Sequence, residues 1–226
     1  PYSDLPAYDP IIQGLSGWAG IQLVDNDPTL HKTMVSDKTA AMYNVQAILA
    51  ALVQRASTSK GCFIEASMLD SNIMFNWPDV MMQCSLLEED SLNLPNLLES
   101  YRLYQCKDGF VTVSPGTDKQ WNSFCDAFGA TQEKKDKKLV TSKDRAKNIE
   151  YFFNSIAKIV SKLERSTVVG KLREVGVPAG PVYLPEEVKN DPHVKARQTV
   201  KKHSHKIIGE FLGPKPIASM FGEDIT

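Results

Sequence analysis

Residues 31–55, HKTMVSDKTAAMYNVQAILAALVQR, carry the pattern that most restricts how this chain can fold. Ala40, Met42, Val45, Ile48, Leu49, Leu52 and Val53 recur at three- and four-residue spacings, which predicts a long helix opening at Asp37 and closing at QRASTSKG. Ala40, Ala41, Ala47, Ala50 and Ala51 keep it slim, so close packing is expected on both of its sides. Its longest apolar stretch, Val45 to Val53, is interrupted by Gln46 and falls well short of the roughly 20 apolar residues that a membrane span needs.

The rest of the chain is organised around that helix. Residues 1–36 are punctuated by Pro1, Pro6, Pro10, Gly14, Gly17, Gly20 and Pro28 and read as loop-rich. CFIEASML alternates like a short strand, and a second helix is expected through SMLDSNIMFNWPDVMM, with Pro78 excluding a helical conformation at Trp77. LEEDSLNLPNLLES is polar and irregular and reads as a linker. Beyond it, YRLYQCKDGFVTVSP gives two strands joined at KDG, the best hairpin signal in the chain. TDKQWNSFCDAFG gives an amphipathic helix with Thr117 or Asp118 as cap, Trp121, Phe124, Cys125 and Phe128 as apolar stripe, and Gly129 as stop. Residues 144–164 and 166–175 predict two further helices, GVPAGPVY an extended segment, PEEVKNDPHVKAR a short helix and turn, and 198–212 a strand. The change of texture divides the chain into 1–93, part of a larger domain; 94–196, a small α+β domain; and 197–226, a return towards the larger one.

A net charge of −1 with a pI near 6.5 gives no reason to expect nucleic acid or a membrane as partner. No basic segment followed by an apolar run suggests a signal peptide, and the four cysteines, Cys62, Cys84, Cys106 and Cys125, form no CxxC pair. Buried reduced thiols in a cytoplasmic protein are expected, with no disulfide framework and no metal site. The HSH of KKHSHK lacks an acidic or cysteine partner nearby and reads as solvated strand. Trp18, Trp77 and Trp121 read as core residues.

Asp37 admits two readings. Aspartate is a favoured N-cap, worth about 1 kcal/mol to a helix without any further role. A carboxylate at a helix N-terminus is also kept anionic by the positive end of the helix, and the unpaired N–H groups there can steady an oxyanion. Spacing alone favours the cap.

Five stretches, in this order, change that weighting. They are YDPIIQGLSG (8–17), VSDKTAAMYNVQAILAALVQR (35–55) followed by KGCFIEASMLD (60–70), CKDGFVTVSPGTDKQWNSFCDAFG (106–129), VGVPAGPVYLPEEVKNDPHVKAR (175–197) and GPKPIASM (213–220). Together they resemble the family III CoA-transferases, the formyl-CoA transferase and carnitine CoA-transferase (CaiB/BaiF-like) family, which includes the α-methylacyl-CoA racemases. The resemblance implies an α/β fold with a Rossmann-like large domain, here incomplete at its N-terminal half and C-terminal end, and a small α+β domain. It also implies two subunits interlocked as a homodimer. The implied activity is reversible CoA transfer between an acyl-CoA and a carboxylic acid through an aspartyl-CoA thioester, with coenzyme A as co-substrate and no tightly bound cofactor.

On that resemblance Asp37 matches the nucleophile, and Tyr8 and Asp9 match a tyrosine and acidic residue that lie by the thioester. Racemases of the family carry a histidine where this chain has Tyr8. A tyrosine, with a reference pKa near 10, makes a poor base there, so transfer is favoured over racemisation or epimerisation. A binding-only or non-catalytic fragment is the other alternative. Gln13 either orients substrate or makes a loop hydrogen bond. Lys38 either attracts a phosphate or carboxylate or is a solvated lysine. Some formyl-CoA transferases close the site with a glycine run, and only SPGTDKQW (114–121) stands nearby here; Gly116, Thr117 and Asp118 either approach the site or cap the helix.

Overall fold

The computed structural model describes residues 2, 4–81, 84, 85, 87, 100–220, 223 and 224. The chain divides into two compact units, Pro1–Tyr101 and Arg102–Thr226.

In the first unit Tyr8 is extended (φ −130°, ψ 164°) and Pro10 sits in the opening turn, where its missing N–H costs nothing, so a helix α1 starts at Asp9 and runs to Leu15. A single turn α2 (Trp18–Ile21) follows Gly17, whose φ of 89° only glycine adopts without strain. Asp25 and Asn26, at φ 53° and 69°, make the tight turn between β1 (Leu23–Val24) and β2 (Asp27–Pro28). The region expected to be loop-rich thus holds two helices, because α1 gains its cohesion from long-range hydrogen bonds that a local pattern does not display.

The long helix, α3, spans Val35–Thr58, and α4 spans Met68–Asn76 with Ser67 capping it through the Asp70 N–H. Residues 61–67 are irregular rather than a strand. Trp77 has helical angles (φ −60°, ψ −44°) despite Pro78, because the chain continues in turns, with Val80 and Met81 N–H groups donating to the Asn76 carbonyl. Close packing on both sides of α3 is not found within the described residues. Only Ser36, Thr39 and Ala40 of this helix are buried, while Met42, Val45, Leu49 and Val53 are exposed, Val53 by 72%. Most of the expected linker, 88–99, lies outside the described residues.

In the second unit β3 (Tyr104–Cys106) and β4 (Gly109–Val113) form the expected hairpin, with Cys106 facing Gly109, and β5 (Ala179–Pro181) pairs antiparallel on the other edge of β4. Helix α5 (Asp118–Phe128) is closed at both ends as its sequence dictates. Thr117 and Gln120 exchange hydrogen bonds in a capping box, and Gly129 turns the chain at φ 65°. Behind it come α6 (Thr131–Lys135), α7 (Ser142–Lys147), α8 (Ile149–Val160) and α9 (Arg165–Glu174). The single helix expected over 144–164 is two, broken at Asn148 (φ −121°, ψ 42°), whose side chain bonds back to the Asp144 carbonyl.

One apolar core joins these elements: Val111, Trp121, Phe124, Leu139, Ile156, Val160, Val168 and Leu172 are fully buried. Trp121 stacks on Phe124 at 5.4 Å and meets Phe152 edge-on at 5.2 Å. Gly116 and Asp118 are tied to buried Arg145, whose guanidinium donates to the Gly116 carbonyl at 3.2 Å and to Asp118 at 2.9 Å. The 116–118 segment therefore serves the helix cap. A 3₁₀ turn (Val188–Asn190) and α10 (Pro192–Ala196) lead to β6 (Val200–His205) and β7 (Gly209–Pro214). These form a hairpin where one strand was expected, the turn at 206–208 reversing the chain. Two short strands, β8 (Ser219–Met220) and β9 (Glu223–Asp224), pair near the end. Within this unit His203 stacks on Phe211 at 5.3 Å and the His205 ring accepts the Ile207 N–H.

Among the described residues no helix is long and apolar enough to cross a membrane. Trp121 alone of the three tryptophans is fully buried, since Trp18 is half-buried and Trp77 exposed.

Phe124→Ala should lower the stability of the second unit by about 3–5 kcal/mol, because a fully buried ring is replaced by a cavity; urea unfolding followed by tryptophan fluorescence measures it. The cysteines divide as well. Cys62 and Cys84 are exposed rather than buried as expected, whereas Cys106 and Cys125 are buried, and burial pushes the Cys125 thiol up to about 12. Iodoacetamide at pH 8 should therefore modify Cys62 and Cys84 rapidly and the other two only after unfolding, as peptide mass spectrometry can score.

Candidate active site

The interior of the first unit is polar. Asp9, Gln13, Ser16, Ser36, Thr39, Asn72 and Asn76 are buried there beside Ile12 and Ala40. Asp9, Gln13 and Ser16 fall on one face of α1 and its end, and Asn72 and Asn76 fall one turn apart on α4, so each helix turns a stripe of hydrogen-bonding side chains inward.

Asp9 is the centre of this arrangement. One carboxylate oxygen accepts the Gln13 Nε2 amide at 2.5 Å. The other accepts the backbone N–H of Ser36 at 2.8 Å and that of Asp37 at 3.2 Å. Both oxygens act only as acceptors, as an ionised carboxylate does. Gln13 is in turn fixed to the 31–33 loop: its Nε2 also lies 3.2 Å from the His31 and Thr33 carbonyls, and its Oε1 accepts the His31 N–H at 2.8 Å. Two amide hydrogens serve three acceptors, so one of them is shared.

The cap of α3 is thus supplied from 28 residues upstream. Met34 flanks the helix without a side-chain cap, and Asp37 is its third residue. The local-cap reading of Asp37 is corrected: it lies too far into the first turn to cap, and its own N–H is one of those being capped. Every N–H of that turn is committed. Val35 donates to Thr33, Ser36 and Asp37 to Asp9, and Lys38 to Met34. None is left over to steady an oxyanion.

The Asp37 side chain is exposed, and among the described residues its carboxylate has no hydrogen-bond or ion-pair partner. Lys38 is exposed as well, its Nζ donating to Thr33 Oγ1 at 2.9 Å. Tyr8 is 73% exposed at the start of α1, where its carbonyl receives the Ile11 and Ile12 N–H groups. The structure therefore joins Asp9 and Gln13 to the backbone of Asp37. Among the described residues no hydrogen bond links the side chains of Tyr8, Asp37 and Lys38.

The α4 asparagines close the arrangement from behind. Asn72 donates to the Ser36 carbonyl at 3.1 Å and to the Met68 carbonyl at 2.8 Å, and accepts the Trp18 indole N–H at 2.8 Å. Asn76 donates to the Ser16 carbonyl at 3.0 Å. Neither asparagine was singled out in the sequence; their spacing of four was the available signal. Among the described residues no group of three or more His, Cys, Asp or Glu side chains is placed to hold a metal.

The sequence pattern described as CoA-transferase family III matches residues 1–223. The chain belongs to CoA-transferase family III. The acetyl-CoA:oxalate CoA-transferase of Acetobacter aceti is 28% identical over 207 residues, 89% of this chain and 53% of that protein. The human succinyl-CoA:glutarate CoA-transferase is 24% identical over 224 residues, 96% of this chain and 50% of that one. This family III chain thus spans about half the length of the curated relatives it matches. A CaiB/BaiF family protein from Brucella suis superposes on the whole chain with a TM-score of 0.79 at 24% identity, covering 59% of that structure. The fold is therefore the mixed α/β fold of this family.

Asn72→Ala should destabilise the first unit by about 1–3 kcal/mol, because the Trp18 indole N–H and the Ser36 carbonyl lose a buried partner. Thermal or urea unfolding reads the loss.

Proposed function

We propose that this family III chain carries the nucleophile of an enzyme that moves CoA reversibly between an acyl-CoA and a carboxylic acid, and that the nucleophile is Asp37. The observation that carries the reading is an exposed carboxylate, without a partner among the described residues, whose backbone is held by a buried one; the resemblance aligns this residue with the family's nucleophile. The Asp37 carboxylate attacks the thioester carbonyl, forming a mixed anhydride and releasing CoA thiolate. The thiolate attacks the aspartyl carbonyl, which yields an aspartyl-CoA thioester and frees the donor acid as its carboxylate. The acceptor carboxylate then attacks the aspartyl thioester, expelling the thiolate, which attacks the acceptor's carbonyl in the new anhydride and regenerates Asp37. Moving CoA between two acids is nearly thermoneutral, and a carboxylate carrier divides it into steps of similar energy.

Tyr8 and Lys38 are the exposed side chains that this reading assigns to substrate, Tyr8 beside the thioester and Lys38 towards a phosphate or a second carboxylate. The relatives' names speak of oxalate and glutarate, and others of mesaconate, which supports short dicarboxylic acids as acceptors. A tyrosine at position 8 supports transfer over racemisation. The working form is a cytoplasmic homodimer in which 1–93 belong to the large domain, 94–196 form the small one and 197–226 return to the first.

Hydroxylamine added to the protein with acetyl-CoA or succinyl-CoA should leave a hydroxamate on Asp37, seen by peptide mass spectrometry. Asp37→Asn should abolish it and lower CoA transfer at least about 10³-fold. Transfer that proceeds with no adduct at Asp37, or an Asp37→Asn variant of full activity, overturns the assignment.

A further inference from the structure

The resemblance places Asp9 by the thioester, and Gln13 was open to a role in orienting substrate; the geometry points to another task for both. Asp9 is only 8% exposed and Gln13 1%, while their neighbour Tyr8 is open to solvent. Every oxygen of the Asp9 carboxylate faces a protein donor: Gln13 on one side, and Ser36 and Asp37 on the other. A side chain so enclosed has no free face for an acyl group or for CoA.

We propose that Asp9, oriented by Gln13, is a positioning residue: it grips the backbone of Asp37 from beneath and sets the direction in which that carboxylate leaves α3, without touching substrate. The proposal rests on Asp37 being the nucleophile. Three features support it. The bond to the Asp37 N–H acts on the residue whose side chain reacts, so a shift of the grip is passed on within one residue. The grip is braced at the far end, because Gln13 holds both the His31 and Thr33 carbonyls and thereby fixes the loop that delivers the chain into α3. The helix end is braced from α4 too, where Asn72 holds the Ser36 carbonyl while Asp9 holds the Ser36 N–H. The peptide groups flanking Ser36 are thus fixed from two directions, and Asp37 follows directly.

Positioning makes a different kinetic prediction from substrate contact. Losing a substrate contact raises KM, whereas misplacing a nucleophile by about 1 Å lowers the chemical rate by about 10²-fold with substrate still bound. The test uses protein expressed from its complete reading frame, as wild type, Asp9→Ala, Asp9→Asn and Gln13→Ala. For each, kcat and KM for CoA transfer, hydroxamate formation at Asp37 and amide hydrogen exchange at Ser36 and Asp37 are measured, with circular dichroism to confirm folding.

Asp9→Ala should lower kcat and hydroxamate formation by about 10²-fold, hold KM within about threefold, and accelerate exchange at Ser36 and Asp37 specifically. Asp9→Asn, whose amide oxygen still accepts those N–H groups, should recover part of kcat and of the protection, and Gln13→Ala should fall between Asp9→Asn and Asp9→Ala. A raised KM with kcat retained would make Asp9 a substrate contact and overturn the proposal. So would unchanged exchange at Ser36 and Asp37, or a variant that merely unfolds more easily while its folded fraction keeps full kcat. Wild-type protein that transfers CoA without a hydroxamate at Asp37 would instead remove the nucleophile assignment itself, and the positioning role with it.

Discussion

The first unit depends on a buried carboxylate meeting the N-terminus of a long helix. Asp9 brings a negative charge to the positive end of α3 and satisfies two N–H groups that the helix's own N-cap, Met34, does not cap. Its geometry forces α1 and α3 together at their N-terminal ends. With that contact fixed, the 31–33 loop has one path, because its His31 and Thr33 carbonyls must reach Gln13 on the next turn of α1. Asn72 and Asn76 then find the Ser36 and Ser16 carbonyls at the heights that α1 and α3 have set. Without the Asp9 contact, the same polar side chains would be buried with unmet partners at a cost of about 1–3 kcal/mol each.

The two units of this family III chain are stabilised by different physics. The second is an ordinary apolar core in which Trp121, Phe124, Ile156 and Leu172 exclude water between a three-stranded sheet and its helices. The first buries few apolar side chains and many hydrogen-bonding ones, while much of the apolar stripe of α3 faces outward. A nondirectional core tolerates small displacements, but a network of directed bonds around Asp9 tolerates few. That is the kind of interior that fixes where one carboxylate stands.

This contrast explains what could be read from the sequence. Helix α5 was legible within one residue, with Thr117 or Asp118 open as its cap, because its cap, stripe and stop all lie between Thr117 and Gly129, within reach of local rules. The β3–β4 hairpin was legible for the same reason. The body of α3 was visible from its spacing, but its buried and exposed faces were not, since burial depends on neighbours rather than on the stripe itself. Asn148 breaks a periodic segment by bonding its own backbone, a competition that apolar periodicity does not record. In the candidate site Asp9 and Gln13 had been singled out, but not their bond to the backbone of α3, and the cap was misassigned: Asp37 stood where a local cap is expected, whereas the carboxylate that caps came from Asp9, and no window of a single helix spans that distance.

The corrected cap bears on the chemistry. A carboxylate resting on free amides at a helix end is stabilised in the form that must react, and each bond it accepts has to be loosened before it can attack a thioester. Here the amides of the first turn of α3 are taken by Asp9, Thr33 and Met34, and the Asp37 side chain accepts none of them. The charge of Asp9 also offsets part of the helix's positive end. Asp37 is thereby anchored through its backbone while its oxygens are unengaged among the described residues, which is compatible with the attacking role proposed for it. On the proposed mechanism, any oxyanion formed at Asp37 would have to be stabilised by donors outside the first turn of α3.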